Sequence, residues 1–311
     1  MNTEIEHLSN SKQLKIGTIL LIITTIIWGS TFIITNILTQ IVPPMFYMGV
    51  RYLIGFIAFM PFLGRLKTFT KKQFKIGLIA GTLCWASFTF QTIGIQLTTA
   101  TKSAFITGLN VIMIPIFLAI FYKKKVSKKI WISTFFALVG VSVLSFGGIE
   151  KPSIGDLLVL ICDIFYALYV IYLGIHLKEI DTIGISIIIV FIIGFFSFIL
   201  SFIFEDMNYI FGEGASSIFT YQNLGIMLYM GLIATTISNL TQNYGQTHIA
   251  PTKTAIIFSL EPLFATFFAI LGKESLNLQI VIGAIFIFTG IVLSIEKKTN
   301  LDILPLNDSL N

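Results

Sequence analysis

"TATKSAFITGLN" at residues 99–110 and "APTKTAIIFSLE" at residues 250–261 stand 151 positions apart, each at the entrance to a hydrophobic run. The likeness spreads outward in register. Gln91 matches Gln242, Gly94 matches Gly245, and Thr101-Lys102 matches Thr252-Lys253. Ala104 then matches Ala255, Leu109 matches Leu260, and Phe117 matches Phe268. One residue is lost in the next connection, after which Gly140 matches Gly290 at an offset of 150. Leu or Phe coincidences arise by chance in an apolar chain. Gln, Lys and Gly recurring in order indicate a duplication, and such internal repeats are common in transporter folds.

The chain around this repeat has 311 residues, 55% of them hydrophobic and only 11% charged. A soluble globular protein carries roughly a quarter charged residues, so this composition belongs to a polytopic membrane protein. Runs of about 20 apolar residues cross the hydrocarbon as helices. Ten such runs are expected, at about 16–38, 45–63, 76–97, 103–122, 130–148, 156–177, 183–204, 221–243, 254–272 and 277–295. Backbone groups in lipid must be satisfied internally, by helices or by a closed barrel, and the alternating pattern of barrel strands is absent. The longest connection, residues 205–220, reads as an exposed loop. The segments are therefore a cytoplasmic stretch at 1–15, repeats at 16–148 and 156–297, and a polar cytoplasmic tail at 298–311.

Five spans per copy is an odd number, so the second copy enters the membrane from the opposite side. The expected fold is all-α: ten transmembrane helices in two inverted-topology five-helix repeats. With the N-terminus in the cytoplasm, sixteen basic residues fall on the inner side: Lys12, Lys15, the runs 65–75 and 123–129, Lys178, Lys253, Lys297 and Lys298. Only Lys102, Lys151 and Lys273 fall outside, a positive-inside bias that places both termini in the cytoplasm. The net charge of +5 thus follows topology and is no signal for nucleic acid. No cleavable leader is expected, since Glu4 and Glu6 precede a first run of full spanning length.

Enzymatic and cofactor signals are lacking. Cys84 and Cys162 both lie in apolar runs, and His7, His176 and His248 are scattered, so neither a disulfide framework nor a metal site is suggested. No phosphate-binding loop of the Walker type occurs, which argues against ATP as the driving force. No nucleophile–base arrangement marks an integral-membrane enzyme, and a scaffold would have no use for an inverted repeat.

Further residues carry a family resemblance. "WGSTF" at 28–32, an arginine in "GVRYLIG" at 49–55, "APTKTAIIFSLEPLFATFFAILGKESL" at 250–276 and the following "GAIFIFTGIVLS" resemble the EamA-like branch of the drug/metabolite transporter superfamily. The resemblance runs over about residues 16–297 and is most specific at Glu261-Pro262 and the Gly272-Lys273-Glu274 turn. It implies an exporter of a small metabolite, an amino acid or similar, across a bacterial inner membrane. An uncoupled facilitator is the nearest alternative. The fourth run departs from the symmetry: its proline is Pro115, whereas Val111 aligns with Pro262, so two unequal kinks are expected.

Ionisable residues inside spans are expensive and face a cavity or a partner. Arg51 and Asp163 each lie seven residues into a span that begins on the outer face, about 10 Å deep at 1.5 Å per residue. They are candidates for an ion pair, acting as an outer gate or merely as structure. Glu261 precedes Pro262, whose missing N–H opens the helix. A carboxylate at such a break suits proton coupling or substrate binding, and its copy Asn110 is neutral. Thr235, Asn239 and Gln242 share one helical face, and Gln91 with Gln242 is expected to line the cavity. Trp28, Trp85, Tyr166 and Tyr169 lie away from the interfacial belts and are candidates for an aromatic pocket or for ordinary packing. The expected partners are a small-molecule solute and the bilayer; no cofactor is expected beyond a coupling proton.

Overall fold

The computed structural model describes residues 2–145, 153–177, 180–271 and 278–295, which form helices with no strand among them. The helices are α1 (Asn2–Leu38), α2 (Pro44–Phe59), α3 (Lys71–Gln96), α4 (Ala100–Thr107), α5 (Asn110–Ile120), α6 (Lys128–Ser145) and α7 (Ile154–His176). They continue with α8 (Thr182–Phe204), α9 (Ala215–Ile218), α10 (Tyr221–Gly231), α11 (Ser238–His248), α12 (Pro251–Phe258), α13 (Glu261–Leu271) and α14 (Leu278–Ile295). A 3₁₀ segment, Met60–Thr68, extends α2, and a π segment, Leu232–Ile237, joins α10 to α11.

Seven segments of the described residues are long and apolar enough to cross a membrane: Lys12–Leu38, Pro44–Thr68, Lys71–Gln96, Ala100–Ile120, Ile154–His176, Thr182–Phe204 and Tyr221–His248. Val281–Ser294 is a shorter apolar helix. The fifth, ninth and tenth expected spans are helical as well, at α6, α12–α13 and α14. The first helix, α1, runs back to Asn2, through most of the segment 1–15. The tail 298–311 and the Gly272-Lys273-Glu274 turn lie outside the described residues.

Local chemistry sets where the helices begin. Thr70 and Gln73 form a reciprocal capping box at the start of α3, and Ser153 and Asp156 do so for α7. The two copies of the opening motif start the same helix by different means. The Thr99 hydroxyl accepts from Lys102 N at 3.2 Å to cap α4, whereas α12 begins with Pro251 at its first position, where no N–H is needed.

The helices pack with a two-fold reciprocity. The third helix of each repeat lies on the first helix of the other, α3 on α7 and α11 on α1. The second helices α2 and α8 pair with each other, as do the fifth, α6 and α14. Backbone approach proves the register. A Cβ on Gly94 would lie 2.9 Å from the Gly155 carbonyl oxygen and 2.7 Å from Val159. A Cβ on its repeat partner Gly245 would lie 3.1 Å from the Gly17 carbonyl oxygen and 2.7 Å from Leu21. Gly155 is therefore the counterpart of Gly17, an offset of 138 that makes Tyr166 the counterpart of Trp28. At the α6–α14 crossing, Gly140 meets the Gly283 carbonyl and Gly290 meets the Ser133 carbonyl, again reciprocally. Small residues permit this approach where lipid provides no hydrophobic drive.

Both repeats break their fourth helix, and at the same place. Gly108-Leu109 separates α4 from α5, and Ser259-Leu260, 151 positions on, separates α12 from α13. The expectation of unequal kinks is thus corrected. Pro115 sits inside a continuous α5 while the break lies seven residues earlier, without a proline. There the ladder tightens to three-residue spacing, with Val111 N on Gly108 O at 3.3 Å and Ile112 N on Leu109 O at 3.0 Å. The Thr107 carbonyl, left free, accepts from the Asn110 side-chain amide at 3.2 Å.

The connection 205–220 is also not a plain exposed loop. It holds a π turn at Tyr209–Glu213 and the short α9, and it buries Ile210 and Ile218. Phe211 and Phe219 pack edge-on against Phe46 at the start of α2. The Glu205 carboxylate accepts from Met45 N at 2.7 Å and Phe46 N at 2.8 Å, capping α2 from the other repeat.

Candidate functional site

The repeats meet around an internal cavity walled by α1, α2, α3 and the α4–α5 break on one side and by α7, α12 and α13 on the other. It offers the centres of water-sized spheres about 30 Å³. That is room for about two waters, against roughly 300–1,000 Å³ for a small-molecule site. A solute would therefore need the two repeats to move apart.

One wall is aromatic. Trp28 contacts Phe88, Tyr166 and Phe258 at centroid distances of 6.4, 5.9 and 5.5 Å, mostly edge-to-face. Tyr52 lies 6.0 Å from Phe88, and Phe88 lies 6.3 Å from Tyr166. The central contact, Trp28 on Tyr166, joins the two repeat-equivalent positions, so the aromatic wall straddles the pseudo-two-fold.

The polar wall carries three ionisable residues on three different helices. Arg51, on α2, donates from Nε to Thr235 Oγ1 at 2.8 Å and from Nη2 to the Ala234 carbonyl at 3.0 Å. Both acceptors lie in the π segment 232–237, where the wider turn leaves carbonyls exposed to a side-chain donor. The guanidinium also stands 5.4 Å from the Tyr52 ring centroid, within cation–π range. Asp163, on α7, is fully buried and accepts from the Asn110 amide. Glu261 opens α13 and is partly buried at the cavity, placing a carboxylate at a helix N-terminus, where it is favoured.

Of the residues singled out from sequence, Trp28, Arg51, Gln91, Asn110, Asp163, Tyr166 and Glu261 line this cavity. The expected Arg51–Asp163 ion pair does not form. Arg51 is drawn to the unwound turn between α10 and α11, and Asp163 to the broken α4–α5 helix. The sequence count set both seven residues into a span, but in the structure the two side chains find partners on different helices. Trp85, Asn239 and Gln242 do not line the cavity. Trp85 packs against Phe196 in a tilted pair, ring centroids 5.3 Å apart. Asn239 accepts from Asn243 Nδ2 at 2.9 Å, and the same amide donates to Ser186 Oγ at 2.8 Å. Gln242 donates to the Tyr166 hydroxyl at 3.0 Å and to Gln246 Oε1 at 3.2 Å. The polar face of α11 is thus interhelical glue, and Gln242 acts behind the cavity by holding Tyr166. Tyr169 is likewise buried behind it, 3.5 Å from Asn243 Oδ1.

The sequence reading missed Thr31 and Thr35, Tyr52, Ser87 and Phe88, and Phe258. A signal existed for several. Thr31 and Thr35 stand three and seven residues after Trp28, on one helical face, and Ser87 and Phe88 precede Gln91 by one turn.

Two interlocked helical repeats around a charged, aromatic-walled junction define a multi-pass membrane protein with the architecture of a transporter. A model of the EamA-like transporter family matches residues 15–146 and again 153–295, one match per repeat. The chain belongs to that family. It is 31% identical over 250 residues to an uncharacterized transporter of Archaeoglobus fulgidus, covering 80% of this chain and 76% of the relative. It is 23% identical over 287 residues to the uncharacterized transporter YoaV of Bacillus subtilis, covering 88% and 94%. A solved structure titled "Crystal structure of protein" superposes with a TM-score of 0.69 at 13% identity over 89% of this chain and 95% of the other, a shared fold.

Proposed function

We propose that this protein is a secondary transporter that exports a small polar or amphipathic metabolite, an amino acid or similar, across the bacterial inner membrane by alternating access. The observation that carries this reading is the cavity at the repeat junction, with a broken helix of each repeat ending beside it. In the proposed cycle ten spans form two inverted repeats, both termini face the cytoplasm, and the solute lies between Trp28, Tyr166 and the polar groups of Asn110, Asp163 and Glu261. The broken helices are the hinges. Each pair, α4–α5 and α12–α13, has lost continuous backbone bonding at one point, so its halves can tilt independently. Exchange of conformation between the repeats opens the junction first to one side and then to the other. Glu261 carries the coupling proton, since it is the one carboxylate set directly at a break and its counterpart Asn110 cannot titrate.

The test is reconstitution into proteoliposomes with metabolite mixtures as solutes. Uphill movement of a solute under an imposed pH gradient supports coupled transport. Flux that only dissipates the solute's own gradient would make the protein a facilitator, and no flux of any solute would remove the transport reading.

A further inference from the structure

The structure assigns a second role to the α4–α5 break: Asp163 and Asn110 form a binding subsite for a compact monovalent cation, either an alkali ion or the ammonium group of a solute. The argument is an inventory of donors and acceptors. The Asn110 amide has two N–H donors, and both are spent, one on the Thr107 carbonyl and one on Asp163 Oδ1. Two oxygens remain. Asn110 Oδ1 and Asp163 Oδ2 are buried and find no hydrogen-bond partner among the described residues. Asp163 is 0% exposed and Asn110 4% exposed, and both face the cavity. Buried polar atoms are almost always satisfied. Two orphan acceptors on hydrogen-bonded neighbours, one of them on a carboxyl group, call for a donor or a positive charge.

The groups around the cavity do not supply it. Arg51 enters from α2, but its Nε and Nη2 are held by Thr235 and Ala234. The Cys162 thiol lies against Ser87 at 3.3 Å. The Tyr166 hydroxyl accepts from Gln242 and keeps its own proton, but it makes no bond to either oxygen. Glu261, from α13, adds a second carboxyl group to the same cavity and no further donor to either oxygen. An oxygen-only donor set selects a hard cation, and one carboxylate oxygen with one amide oxygen offers little to offset dehydration of a divalent ion. A singly charged species remains. The subsite also has no duplicate, because Asn110 corresponds to Glu261, and Asp163 corresponds by the 138 offset to Thr25. The Thr25 hydroxyl is already bonded to Ile22 O at 2.8 Å.

The ammonium arm of this assignment rests on the transport reading, whereas the test does not require transport. Thermal unfolding of the purified protein in detergent is followed while NaCl, KCl or methylammonium chloride replaces N-methylglucamine chloride at constant ionic strength. At least one small cation should raise the midpoint saturably. Asp163→Asn and Asn110→Leu should each weaken the apparent affinity about tenfold or more, while Glu213→Gln, on the exposed surface, should leave it unchanged. If Asp163→Asn does not fold, Asn110→Leu decides. A response to Na⁺ or K⁺ identifies an ion site, and a response to methylammonium alone identifies solute recognition. No saturable shift with any of the three, equal shifts in the two variants and the wild type, or a shift that follows pH alone overturns the assignment. Cation binding in a protein that moves no solute would keep the subsite and remove the transport reading. Transport with no cation response would remove the subsite alone.

Discussion

Replacing Glu205 with alanine should destabilise the protein more than any other change in the loop that carries it. Helix α2 starts at Pro44 after Pro43, and neither residue has an N–H. Tyr47 N is satisfied by the Pro43 carbonyl at 2.9 Å. The free donors of that helix start are therefore Met45 N and Phe46 N, which Glu205 takes with one oxygen each, at 2.7 and 2.8 Å. Met45 and Phe46 are only 4% and 6% exposed, so water has little access to replace the carboxylate. Hydrogen bonds to a charged group contribute about 1.5–3 kcal/mol each. Because the two share one carboxylate their loss is less than additive, and Glu205→Ala should cost ~2–4 kcal/mol. For a chain of this size that is roughly 3–6 °C in the unfolding midpoint. Glu205→Gln keeps one acceptor and turns an NH₂ toward the second donor, so it should fall between alanine and wild type. The assay is thermal unfolding in detergent, read by intrinsic fluorescence. An alanine variant with the wild-type midpoint would falsify the capping argument.

Other outcomes follow from the site. In proteoliposomes, Glu261→Gln should abolish accumulation driven by a pH gradient while leaving solute exchange; uphill transport at the wild-type rate would remove Glu261 from coupling. Exchanging the charges in Arg51→Asp/Asp163→Arg should be at least as damaging as either single change, because each residue has its own partners, and rescue by the swap would reinstate the ion pair. Arg51→Lys cannot reach Thr235 Oγ1 and Ala234 O with one planar fork and should slow transport about tenfold, a loss of about 1.4 kcal/mol of transition-state stabilisation. Gly94→Leu drives a side chain into the Gly155 backbone, and overpacking of that kind costs about 1–3 kcal/mol, visible as a lowered unfolding midpoint. Gln242→Leu frees the Tyr166 hydroxyl and should raise the solute KM with little change in stability; an unchanged KM would count against Gln242 as a positioning residue.

Much of this was legible in the chain itself. Thr101-Lys102 against Thr252-Lys253, with Gln and Gly matching in order, announces two copies, and the copies recur as α4–α5 and α12–α13 with breaks at equivalent positions. Proline was the misleading cue. It is sufficient to open a helix, yet Gly108-Leu109 opens without one because Asn110 caps the freed carbonyl, and Pro115 stays in a continuous helix. The rarity of charge in lipid pointed to Arg51, Asp163 and Glu261, and all three reached one cavity.

Partner choice was not legible. A linear count of residues paired Arg51 with Asp163 because it measures only position along a span. Which partner each side chain finds depends on how its helix packs: Arg51 on α2 meets the π segment, which Gly55 lets approach closely, and Asp163 on α7 meets Asn110 at the α4–α5 break. Gln242 likewise meets Tyr166 of α7, and Asn239 its helix neighbour Asn243, rather than the cavity. By itself the sequence determined the duplicated helices, their membrane character and the charges worth burying. Tertiary packing decided which polar groups meet, because a hydrogen bond depends on angles and distances that span several helices at once.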